Sequence, residues 1–135
     1  MKQTFDIDTI LFKILKASPA LVAAITGGIY SGERPDNSEL EDITVNALTL
    51  TQEFKPQLGV SNVNIHVSDI DVKIAGRLQK KENETRLKAI TALALEALRA
   101  ARIEGLGLAV KNQTVFNNPE ISQHYVNLRI DWSIH

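Results

Sequence analysis

Ten consecutive residues at the C-terminus alternate without a break. Val126, Leu128, Ile130, Trp132 and Ile134 are apolar, and Asn127, Arg129, Asp131, Ser133 and His135 are polar. Successive side chains of an extended strand point to opposite faces, so this pattern predicts a strand with one face in a core and the other in water. Leu108 to Phe116 is expected to pair with it across Asn117-Asn118-Pro119, whose residues suit a hairpin loop. Ile121 to Tyr125 is open as an extension of the last strand.

A helical period precedes this hairpin. Leu87, Ile90, Ala94, Leu98 and Ala101 share one face through Thr85 to Ile103, a segment of strong helix formers that Gly105 or Gly107 can close. At the other end, Ile7, Ile10, Leu11, Ile14 and Leu15 have the spacing of an amphipathic helix, with Asp6 as its cap. Ser18-Pro19 stops that helix and starts a short second one, for which Gly27-Gly28 supplies a terminator. Ile29-Tyr30 is open as the start of an extended segment. Ser31 to Ser38, dense in Gly, Pro, Asp, Asn and Ser, reads as an exposed loop.

Glu41 to Leu50 is rich in β-branched residues, but its apolar phase shifts between Ala47 and Leu48. A bulged strand and a strand covered on both faces would both account for the shift. Phe54 to Gly59 reads as a connection, and Val63, Ile65 and Val67 alternate with Asn62, Asn64 and His66 as a half-buried strand. Val72 to Lys81 fits either a short strand entering a loop or a mobile loop. The expected fold is therefore a single α+β domain over 1–135: a mostly antiparallel sheet of four to five strands, helices packed on one face, in the order ααββαββ.

Leu, Ile, Val and Phe make up 42 of the 135 residues, enough for a core, and one core is what this length supports. Fifteen Lys and Arg nearly balance sixteen Asp and Glu, so no overall field draws the chain to nucleic acid or an anionic membrane. No apolar run approaches the roughly 18 residues of a membrane span, and the polar first residues do not form a signal peptide. The absence of Cys removes disulfides, thiolate nucleophiles and Cys-based zinc sites.

The motifs that carry chemistry elsewhere fail here. His66 lies on the polar face of its strand and reads as solvated, His135 ends the chain, and neither these nor His124 sits in a recognisable nucleophilic setting. Asp69-Ile70-Asp71 opens like a calcium loop but continues with Lys73, Ile74 and Lys80 where the loop needs an oxygen ligand, Gly and Glu. Gly105-Leu106-Gly107 follows a helix and lacks the third Gly of a dinucleotide fingerprint. Arg77, Lys80, Lys81, Arg86 and Lys88 form a basic cluster without aromatics for base stacking, which favours a solvated or protein-binding face. No catalytic residue, cofactor or metal site is expected.

Charge is uneven along the chain. Glu33, Asp36, Glu39, Glu41 and Asp42 face only Arg34 within 33–42, whereas Arg77 to Glu104 carries a net +3. Chance accounts for this as readily as the alternative, in which Glu39, Glu41 or Asp42 of one copy meets Lys80, Lys81 or Arg86 of the next and the head-to-tail contact closes a ring. Ser31 to Leu40 and Val72 to Asn83 are expected to be the least ordered internal stretches of an isolated subunit, becoming ordered on assembly.

The helix with Ile10, Leu11 and Leu15, the Ser18-Pro19-Ala20-Leu21 restart, Gly27-Gly28-Ile29-Tyr30 and the loop with Arg34-Pro35 before a strand together resemble the small tail-completion, or tail-terminator, proteins of long-tailed bacteriophages and prophages. The later long helix and alternating C-terminal strand are similar too. The resemblance implies an α+β fold, a ring, commonly a hexamer, on the end of the tail tube, and a role in ending tube growth and joining tail to head. It implies no catalysis, and as partners the tail tube protein, head-tail connector proteins and further copies of the chain. The place would be the host cytoplasm during assembly and then the virion tail. A head-tail connector or other neck component is the nearest rival, and a small-molecule binder or enzyme a more distant one.

Overall fold

The computed structural model describes residues 1–135. The chain opens with α1 (Thr4–Lys16), α2 (Pro19–Ala24) and a three-residue strand, β1 (Ile29–Ser31). After a loop come β2 (Asp42–Leu50) and β3 (Gln57–Ser68), then β4 (Ile70–Ile74) and β5 (Arg77–Lys81). The long helix α3 (Glu84–Ala100) leads to β6 (Leu106–Asn118), a short 3-10 turn at Pro119–Ile121, and β7 (Gln123–Ile134).

Five strands form one sheet in the order β1-β2-β3-β7-β6. Every neighbouring pair is antiparallel except β1 and β2, which run parallel. The sheet is therefore mixed, and the expected order ααββαββ lacks β1, β4 and β5. β1 is too short to show a period. β4 alternates, with Ile70, Val72 and Ile74 against Asp71 and Lys73, but it starts before the expected segment Val72 to Lys81, and β5 shows no such period; the two form a separate hairpin that buries almost nothing, with Ile70 opposite Lys81 and Ile74 opposite Arg77. Val72 to Lys81 is thus neither a lone strand nor a structureless loop.

The apolar periods do what they predict. Ile7, Leu11 and Leu15 of α1 and Leu87, Ile90, Ala94 and Leu98 of α3 meet Val63, Ile65 and Val67 of β3 and the apolar side of β7 in one core cluster of 21 buried residues. The helices lie on that face of the sheet. Trp132 is 3% exposed, borders the same crevice as Leu98, and donates from Nε1 to Ser61 Oγ at 2.9 Å. The phase shift in β2 is a bulge, since the pairing with β3 slips between Ala47 and Thr49.

Several boundaries move, each for a local reason. α1 starts at Thr4, with Asp6 inside the first turn, where its carboxylate accepts from the Gln3 N–H at 2.7 Å. β3 begins at Gln57, inside the expected connection. Gln57 is fully buried because its amide is saturated: Nε2 donates to the carbonyls of Thr51 and Lys2, and Oε1 accepts from the Lys2 N–H. α2 ends at Ala24, ahead of the glycine pair, and Gly27 serves a different purpose. A Cβ there would strike the Asp42 carboxylate, so only glycine lets the chain pass this close to it.

Candidate assembly interface

One end of the sheet gathers the charged segments. The loop 32–41 is pinned there by a buried network. Asp42, 1% exposed, accepts from the Gly28 N–H at 3.0 Å, from Arg34 Nη1 at 3.3 Å and from Ser38 Oγ at 2.5 Å. Gln123, fully buried, accepts from Arg34 Nη2 and donates to the Ser38 carbonyl and Ser68 Oγ. Turn residues predict an exposed loop, and most of its side chains are exposed, yet Arg34 and Ser38 reach inward and tie it to β2, β3 and β7. The expectation that 31–40 is among the least ordered stretches does not suit a loop held this way.

Of the six charged residues singled out for contact between copies, the structure brings two together inside one chain. Arg86 on α3 donates from Nε to Glu41 Oε2 at 2.8 Å and from Nη2 to Glu41 Oε1 at 2.6 Å. It also donates from Nη2 to the Ala24 carbonyl at 2.7 Å. Donating to the Glu41 carboxylate holds the Arg86 guanidinium even more firmly protonated than usual. Asp42 is consumed by Arg34 and Ser38. Glu39, Lys80 and Lys81 remain exposed, Lys80 with a surface partner in Asp71 at 2.9 Å. Sequence distance hid the first of these pairings, since Arg86 and Glu41 are 45 residues apart.

Two histidines occupy built positions. His66 is not solvated: its ring packs on Tyr125 with centroids 5.2 Å apart, and Nε2 lies 3.3 Å from Thr44 Oγ1. Burial, reinforced by the nearby Arg34 charge, lowers its pKa to about 4, so it is neutral near pH 7. His124 Nδ1 lies 2.6 Å from Oδ1 of Asp69, whose side chain is only 5% exposed. The pair ties the start of β7 to the β3–β4 corner, beside a polar hollow of about 500 Å³ that Lys80, Lys81 and Asn117 also line. No pattern in the sequence links Asp69 to His124.

The helix-free face is polar in its middle, where Asn127 Nδ2 donates to Asn62 Oδ1 at 3.1 Å and to Asn64 Oδ1 at 2.7 Å. Phe116 stacks on Tyr125 at one end, and Leu48 and Leu58 are exposed toward the other. At the sheet's edge β6 runs 13 residues with Lys111 as its only charge, a long edge open to strand addition. No set of three or more His, Asp or Glu converges as metal ligands, and no helix is long and apolar enough to cross a membrane. The arrangement offers surfaces for other macromolecules.

No family model and no curated protein matches the chain. Among solved structures, the fold is similar to that of a chain in the structure described as "Virion of native gene transfer agent (GTA) particle", at 13% sequence identity and a TM-score of 0.69. The match covers 99% of this chain and 98% of that one, so the two share an α+β fold from end to end.

Proposed function

We propose that this chain is a structural protein of a phage-derived virion and, within that class, a tail terminator. Copies would close into a ring, with six the expected number, seated on the end of the tail tube. The ring would stop tube growth by offering no surface that another tube subunit can extend, and its outer side would receive head-tail connector proteins. Assembly would take place in the host cytoplasm and leave the protein in the virion tail. The role needs no catalysis, cofactor or metal.

The observation that carries this reading is the end-to-end likeness of fold to a chain of a gene transfer agent virion. The order of helices, glycines and strands that resembles tail terminators supports the finer assignment. The test is deletion of the gene from the element that encodes it, scored by electron microscopy of the particles. Overlong tubes without heads are expected. Tubes of normal length that fail only to join heads would point to a neck component, and unaltered particles would overturn the structural role.

A further inference from the structure

The β4–β5 hairpin is the one part of the chain that packs on little besides itself. A two-stranded hairpin is marginal alone, and this one leaves Ile70 42%, Ile74 41% and Leu78 74% exposed, so both its faces carry uncovered aliphatic carbon. Arg77 and Lys81 stand on the face of Ile70 and Ile74, Lys73 on the other face with Leu78, and none of the three is in an ion pair within the chain. Five residues at about 3.3 Å each give the hairpin a reach of roughly 16 Å.

The complementary surface belongs to the same chain. With Arg34 consumed by Asp42, the loop presents Glu33, Asp36 and Glu39 with no cation paired to any of them, and Leu40 is 51% exposed beside them. The free carboxylates and the aliphatic side chain of the loop thus complement the two free cations and the aliphatic side chains that share one face of the hairpin. The loop and the base of the hairpin adjoin within the chain. Glu39 is tied through its carbonyl to Ser68 Oγ at 2.7 Å, two residues before β4 begins.

We propose that the β4–β5 hairpin is an arm that docks on the 33–40 loop of a second copy of this chain, setting Arg77 and Lys81 against Glu33, Asp36 and Glu39. The proposal rests on the ring reading above and names its contact. Exposed ion pairs contribute little singly, so the apolar side chains hold the arm while the charges choose its partner and register. The hairpin lacks the aromatic side chains on which bases stack, which favours a protein partner over a nucleic acid.

The chain has no cysteine, which permits a direct test. Full-length Arg77→Cys and Asp36→Cys proteins, distinguished by mass tags, are mixed and mildly oxidised. A mixed disulfide dimer is expected, and a Lys88→Cys protein in place of Arg77→Cys should give none. Charge reversal supplies the second arm: Arg77→Glu with Lys81→Glu, or Glu33→Lys with Asp36→Lys, should each weaken self-association at low salt by about tenfold or more, and combining them should restore it. Rings that survive both single reversals, or equal cross-linking from Lys88→Cys, would overturn the arm while leaving the ring intact. A wild-type protein that stays monomeric at every concentration and salt would overturn the ring and the arm together. Hairpin reversal that abolishes retention of duplex DNA, with self-association unchanged, would reassign the basic arm to nucleic acid and likewise overturn it.

Discussion

Glu41 and Arg86 meet through two N–H···O bonds, at 2.8 and 2.6 Å, within a single chain, so the most acidic segment of the sequence is locked to the long helix of its own subunit. Arg86 is 39% exposed and Glu41 12%, which tempers the attraction through solvent. In a double-mutant cycle with Glu41→Gln and Arg86→Met, the expected coupling is about 1 kcal/mol. Urea titrations of the four proteins check it, and a coupling indistinguishable from zero would show that the pair contributes nothing to the subunit.

Arg34→Ala should cost more. It leaves the Asp42 carboxylate buried with only the Gly28 N–H and Ser38 hydroxyl as donors, and breaking a buried pair from one side typically costs about 3 kcal/mol. Hydrogen exchange should quicken at the Gly32 amide, which the Val45 carbonyl holds at 2.8 Å. A variant as stable as the parent would mean that Gln123 and Ser38 secure the loop without the guanidinium.

Trp132→Ala removes a large ring from the core and should lower stability by about 3 to 5 kcal/mol. Trp132→Phe keeps much of the bulk but orphans Ser61 Oγ, so roughly 1 kcal/mol of the loss belongs to the Nε1 hydrogen bond. Thermal melts of the two variants separate these contributions, and equal losses would contradict the division.

His66 makes stability depend on pH with a definite sign. Its folded pKa of about 4 lies below the ordinary 6.5, so between these values the unfolded chain binds the proton more readily. The His66 contribution is therefore fully present above pH 6.5 and is lost as pH falls toward 4, amounting to about 3 kcal/mol at most. Denaturant midpoints at pH 7.5 and pH 5 should differ, and His66→Gln should reduce the difference. If the variant keeps the parent's pH dependence, another group sets it.

In a subunit held monomeric by dilution, amides of Val72 to Lys80 should exchange faster than those of Val126 to Ile134. The hairpin's ladder has little apolar cover, whereas β7 lies in the sheet interior between β3 and β6. Comparable protection in the two segments would show that the hairpin is stable without a neighbour.

The long periodic elements were legible from the residues themselves. The strict alternation of Val126 to Ile134 made β7 a half-buried strand, and the 3.6-residue spacing of Leu87 to Leu98 made α3 a core helix, because burial on one face is a local geometric property of each element. The Ser18-Pro19 start was legible for the same kind of reason, since cap chemistry acts within a few residues, whereas the phase shift near Leu48 left a bulge and a doubly covered strand open until the pairing of β2 with β3 showed the bulge. Tertiary structure alone decided which distant polar groups meet. Asp69 with His124, Gln57 with the Lys2 backbone and Glu41 with Arg86 are joined only because the strand order β1-β2-β3-β7-β6 sets remote segments side by side. Buried polar groups need partners but do not specify in sequence where those partners lie, so the same acidic run could read as a surface for a neighbour. Folding divides it, drawing Asp42 and Glu41 into the subunit and leaving Glu33, Asp36 and Glu39 unpaired on its surface.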